Sequence, residues 1–79
     1  MINIGTMMNL RGGNFTIDMR SLKEEEKDPL AFAYGFVSAL TGNELEKEDA
    51  AGSYIDGWYQ GQRVRAGEEE MPHWIKEIK

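Results

Sequence analysis

One histidine, no cysteine and fourteen carboxylates are the chemical inventory of this 79-residue chain. His73 follows Pro72 near the C-terminus, with no nucleophile spaced to use it. A catalytic histidine needs an orienting carboxylate on one side and a nucleophile on the other, so His73 reads as a surface or helix-start residue. Gly12-Gly13 lacks the following helix and the spacing of a phosphate-binding loop. Without cysteine there is neither a disulfide nor a thiolate metal site. The carboxylates come in runs. Glu24, Glu25 and Glu26 stand together in SLKEEEK, and Glu44, Glu46, Glu48 and Asp49 are opposed only by Lys47. Such runs are solvated surface rather than acid–base machinery. The chain reads as a binding protein and not an enzyme, with no cofactor and no metal implied.

Nine basic against fourteen acidic residues leave a net charge of −5. That surface repels phosphate backbones and attracts basic partners, although solubility alone accounts for a charge of this size. Arg11, Arg20, Arg63 and Arg65 are too dispersed to make a nucleic-acid patch, so direct nucleic-acid binding is not expected. Tyr59 falls beside Asp56, Gln60 and Arg63 on the outward side of a helix, where an exposed aromatic among polar residues has the make-up of an interface hot spot. A half-buried tyrosine with a wet hydroxyl is the plainer alternative. The candidate partner-binding residues are therefore Glu24, Glu25, Glu26, Glu44, Glu46, Glu48, Asp49 and Tyr59, facing a protein or nucleoprotein complex with a basic surface. The N-terminus, MINIGTMMNLRGG, has no basic leader and no sustained apolar stretch. No run approaches the ~20 apolar residues of a membrane span, and a cytoplasmic protein is expected.

These residues need a scaffold, and 79 residues with 41% hydrophobic content suit one small domain, with homodimerisation as a further source of stability. Residues 2–20 read as a β-hairpin turning at Gly12-Gly13, because both glycines accept positive φ. Its second arm alternates Phe15, Ile17 and Met19 with Asn14, Thr16, Asp18 and Arg20. Ser21 to Lys27 is a charged connector, with a helical turn capped by Ser21. Residues 28–42, DPLAFAYGFVSALTG, form the core helix. Asp28 caps it, Pro29 takes the first position, and Gly42 supplies the left-handed exit. Apolar nearly all round, it is expected to be buried on several sides. A second helix covers 49–65, capped by Asp49 and closed by Arg63 and Arg65. Residues 72–79 make a short helix or strand, with Trp74, Ile75 and Ile78 packing back on the core.

The two helices echo each other. Ala31, Gly35 and Ala39 are spaced i, i+4, i+8, and a shift of 22 residues gives Ser53, Gly57 and Gly61. Phe32 and Phe36 map onto Tyr54 and Trp58 by the same shift. Glycine inside a helix costs roughly 0.5–1 kcal/mol relative to alanine, so three in one helix imply a backbone close by. The expected fold is α+β: an N-terminal β-hairpin packed on a close-packed antiparallel helix pair, with a short C-terminal segment.

Gly35-Phe36-Val37-Ser38-Ala39-Leu40-Thr41-Gly42 and Gly57-Trp58-Tyr59-Gln60-Gly61 resemble the paired glycine–aromatic helices of the ribosome modulation factor family, over residues 32–61. The resemblance implies a helical-hairpin core and a ribosome-associated regulator. In overall type, small and acidic and without a catalytic constellation, the chain is also similar to phage-encoded inhibitors of host defence, anti-CRISPR proteins among them. That type implies a non-enzymatic phage or mobile-element protein that inhibits a host nucleic-acid-handling complex, such as a CRISPR effector, through an acidic surface. A structural oligomerising module is the remaining alternative.

Overall fold

The computed structural model describes residues 5–10, 13–45 and 52–78. Two strands, β1 (Gly5–Leu10) and β2 (Gly13–Asp18), pair antiparallel as the alternation implied, with Met8 opposite Phe15 and Thr6 opposite Ile17. Gly13 already pairs with Leu10, so it belongs to the strand rather than to the turn. The C-terminal segment resolves as a strand, β3 (Ile75–Ile78), antiparallel to the other side of β2. A bond from the Asp18 N–H to the Trp74 carbonyl, 2.7 Å, extends that ladder. The sheet order is β1-β2-β3. Side chains alternate across a pleated sheet, and Phe15, Ile17 and Ile75 share the buried face.

The strand pattern at Met19 and Arg20 gives way to cap chemistry. Asp18 ends β2 and starts α1 (Met19–Glu25). Its carboxylate accepts from the Arg20 and Ser21 amides at 3.1 and 3.3 Å and from the Ser21 hydroxyl at 3.0 Å. Asp18, and not Ser21, is therefore the cap. These bonds, the Ser21 amide foremost, hold its carboxyl below the usual aspartate range. Leu22 is the residue this helix buries.

The core helix, α2 (Pro29–Leu40), begins and ends as its residues imply. Asp28 accepts from the Ala31 amide at 3.2 Å. At the far end Gly42, φ 89°, donates to Ala39 and Asn43 donates to Ser38, closing a Schellman motif. One face differs from expectation: Leu30 and Tyr34, one turn apart, are 47% and 43% exposed. The rest is core. Phe32 and Phe36 meet Trp74 edge-on, centroids 5.8 and 4.9 Å away, and Ala33 and Val37 complete a cluster with Leu22 and the buried face of the sheet. Edge-on aromatic pairs add ~1 kcal/mol each beyond area burial.

The second helix, α3 (Gly52–Arg65), packs on α2 backbone to backbone. Its expected cap, Asp49, lies outside the described residues. A Cβ placed on Gly57 would overlap the Phe32 carbonyl oxygen, and one on Gly61 the Phe36 carbonyl. Reciprocally, a Cβ on Gly35 would overlap the Tyr54 carbonyl. Each glycine hydrogen thus points at a carbonyl three residues before its counterpart, the arrangement of a Cα–H···O contact. The 22-residue echo becomes a pseudo-twofold, since the shift turns the Gly35–Tyr54 contact into Gly57–Phe32.

These pairings overturn the antiparallel expectation. Phe32 and Phe36 are one turn apart, as are Gly57 and Gly61. Phe32 meets Gly57 and Phe36 meets Gly61, and further on Gly42 lies beside the Arg65 guanidinium, so the contacts ascend together. An antiparallel pair would reverse that order. The helices are parallel, not a helical hairpin. Of the small-residue ridge, Gly35, Ala39, Gly57 and Gly61 are buried, whereas Ala31 and Ser53 are half-buried. The flanking aromatics divide. Phe36 is wholly buried toward the sheet, while Trp58 stays half-buried and donates its indole N–H to the Asn43 carbonyl at 3.1 Å. No described helix is long and apolar enough to cross a membrane.

Gly35→Ala and Gly57→Ala must therefore push one helix backbone off another, with no flexible side chain to yield. Each should cost more than the ~1–3 kcal/mol of ordinary overpacking and abolish the cooperative thermal transition followed by circular dichroism. Gly67, φ 84° with open space around it, is the control. Gly67→Ala should cost only ~1–2 kcal/mol of left-handed strain. Equal, mild losses at all three positions would contradict the close contact.

Candidate partner-binding surface

Where the end of α1 meets α3, the surface dips into an open cleft of about 520 Å³ lined by Glu26, Phe32, Asp56, Tyr59, Gln60 and Arg63. Two local structures make it. On α3, Asp56, Tyr59, Gln60 and Arg63 are spaced i, i+3, i+4, i+7, which puts them on one helical face. Opposite, Glu26 is the C-cap of α1, its N–H bonded to the Leu22 carbonyl at 3.0 Å. Asp18 starts α1 and thereby decides where Glu26 lands. Phe32, only 5% exposed, is the apolar floor.

Tyr59 is 48% exposed, and its ring stands edge-on to Trp58 at 5.3 Å. The outward tyrosine expected from sequence is present, with Asp56, Gln60 and Arg63 around it. Arg63 lines the cleft while its Nε donates to the carboxylate of Glu69, which is not part of the lining. Among the described residues neither Glu26 nor Asp56 pairs with a cation. Partial burial raises the Glu26 carboxyl above the usual glutamate range, and the charges of Asp56 and Glu25 raise it further. The cleft is thus a place where negative charge is held at some cost.

The other candidate residues are distributed differently. Glu24 and Glu25 are exposed on the last turn of α1, beside Glu26 in sequence. Glu25 lies 3.5 Å from His73 Nε2, both side chains largely exposed, a pair worth little in water. Glu44 lines a second depression, of about 220 Å³, with Gly42, Asn43, Leu45, Trp58 and Arg65. That depression is at the opposite end of α2, a helix of roughly 18 Å at 1.5 Å per residue. Glu46, Glu48 and Asp49 lie outside the described residues. The acidic set is therefore not one patch, and of its described members only Glu26 and Tyr59 share a cleft. Asp56 and Phe32 are the functional candidates that sequence reasoning passed over. Asp56 was signalled by its i, i+3 spacing to Tyr59; Phe32 read as core, which it also is. Among the described residues no group of three or more histidine or acidic side chains is placed to hold a metal ion.

A raised carboxyl pKa has a definite consequence for stability. The folded chain binds the Glu26 proton more tightly than the unfolded chain, so this residue's contribution falls as pH rises through the glutamate range into its raised value. Glu26→Gln should accordingly raise the melting temperature at pH 7. That gain should vanish near pH 3.5, where wild type is protonated as well. A gain that persists or grows in acid would contradict the cause assigned here.

Comparisons with protein-family models, with curated protein sequences and with solved structures give no match to this chain.

Proposed function

We propose that the protein is a non-enzymatic inhibitor, of the kind carried by phages and mobile elements, that docks on the basic surface of a host nucleic-acid-handling complex such as a CRISPR effector. The observation that supports this reading is the cleft. Two carboxylates without cationic partners among the described residues, Glu26 and Asp56, flank an exposed aromatic, Tyr59, with Glu24 and Glu25 next along the chain. An exposed aromatic beside a partly buried charge has the composition of an interface centre. The net charge of −5 adds long-range attraction to a cationic partner. Charge sets the rate of encounter and the packed side chains at the centre set the lifetime. The occupied groove would then be closed to nucleic acid.

Immobilised protein should capture such a complex from host lysate at low salt, and the captured complex should lose its nucleic-acid binding as free protein is added. Raising salt from about 50 to 300 mM should slow association by about tenfold or more. Capture of no nucleic-acid-handling complex at any salt would defeat the reading. Co-sedimentation with ribosomal particles alone would favour a ribosome-associated regulator instead.

A further inference from the structure

Resting on that reading, we infer that the cleft between α1 and α3 receives an arginine side chain of the partner. Its walls present two carboxylates, Glu26 and Asp56, that lack a cation among the described residues. Phe32, 5% exposed, lies at its floor, and its rim is the half-exposed ring of Tyr59. Gln60 adds an amide that can accept a hydrogen bond, and Arg63, which also lines the cleft, is paired with Glu69. A guanidinium suits this set better than an ammonium. It is planar and weakly hydrated, it can bond two carboxylates at once, and it stacks on an aromatic face. Lysine, a compact and strongly hydrated charge, would lose more water for fewer bonds. The repulsion that Asp56 and Glu25 exert on Glu26 is relieved when a cation enters, which favours binding beyond the contacts themselves.

The test uses the full chain, isotope-labelled, titrated with the blocked tripeptides Gly-Arg-Gly, Gly-Lys-Gly and Gly-Glu-Gly. The arginine peptide should shift the amide resonances of Asp56, Tyr59 and Gln60, the lysine peptide should do so more weakly, and the glutamate peptide not at all. Glu26→Gln with Asp56→Asn removes both charges and also their repulsion, so the doubly substituted chain should keep its dispersed spectrum. It should bind the arginine peptide about tenfold more weakly. Tyr59→Phe should bind as wild type does, and Tyr59→Ala should lose several-fold. Shifts centred elsewhere, equal binding of the lysine peptide, or no loss in the doubly substituted chain would each overturn the inference. Capture from lysate separates the two readings. If wild type and the doubly substituted chain capture the same complex equally well, the arginine site fails while the inhibitory reading stands. If wild type captures nothing while the arginine peptide still binds the cleft, the inhibitory reading fails and the site stands.

Discussion

Everything in this fold depends on two helices touching backbone to backbone. At Gly35, Gly57 and Gly61 there is no room for a Cβ, because the partner's carbonyl oxygen occupies the space. Close approach of this kind brings many weak contacts into range at once: dispersion between the two backbones and Cα–H···O contacts. It also fixes register, since sliding one helix along the other would drive side chains into the opposite backbone. In water, glycine within a helix is unfavourable by itself, so the contact has to be specific to be worth having.

The rest follows as layers. One side of α2 takes α3; another takes the sheet, through Phe32, Phe36 and Trp74. A helix committed on both sides has little freedom to present function, and its open stripe carries only Leu30 and Tyr34. Function falls to the elements at the edge. The outer face of α3 and the end of α1 meet over Phe32, and the two carboxylates that this end of the fold brings together, Glu26 and Asp56, make no ion pair among the described residues. Scaffold and surface are thus linked by one residue. The Phe32 carbonyl faces Gly57 and its ring packs on Trp74, while the residue also lines the cleft.

Much of this was legible in the sequence, for identifiable reasons. Asp28-Pro29 and Gly42 delimit α2 because cap and exit chemistry is local. The alternation of Phe15 and Ile17 gives β2, and the glycine spacing gives the helix contact. Direction was not legible. A ridge of small residues serves parallel and antiparallel pairs alike, and the resemblance over residues 32–61 implied a hairpin. Helix α1 was half seen because Met19 continues the strand alternation, while Asp18 can either end a strand or cap a helix. The cleft was legible only in part. Tyr59 and its helical neighbours share a face by simple periodicity, but Glu26 reaches them through a tertiary turn that no local signal encodes. The same limit explains why Glu44 could be grouped with Glu26 by composition although the fold puts them at opposite ends of α2.

The parallel, glycine-mediated contact can be read directly from proton–proton Overhauser effects in the folded chain. Cross-peaks from the Gly57 Hα protons to Phe32, from Gly61 to Phe36, and from Gly35 to Tyr54 are the predicted set. An exchanged pattern, with Gly57 near Phe36 and Gly61 near Phe32, would show antiparallel helices and contradict the pseudo-twofold. Absence of any Hα cross-peak between the two helices would contradict the close contact itself.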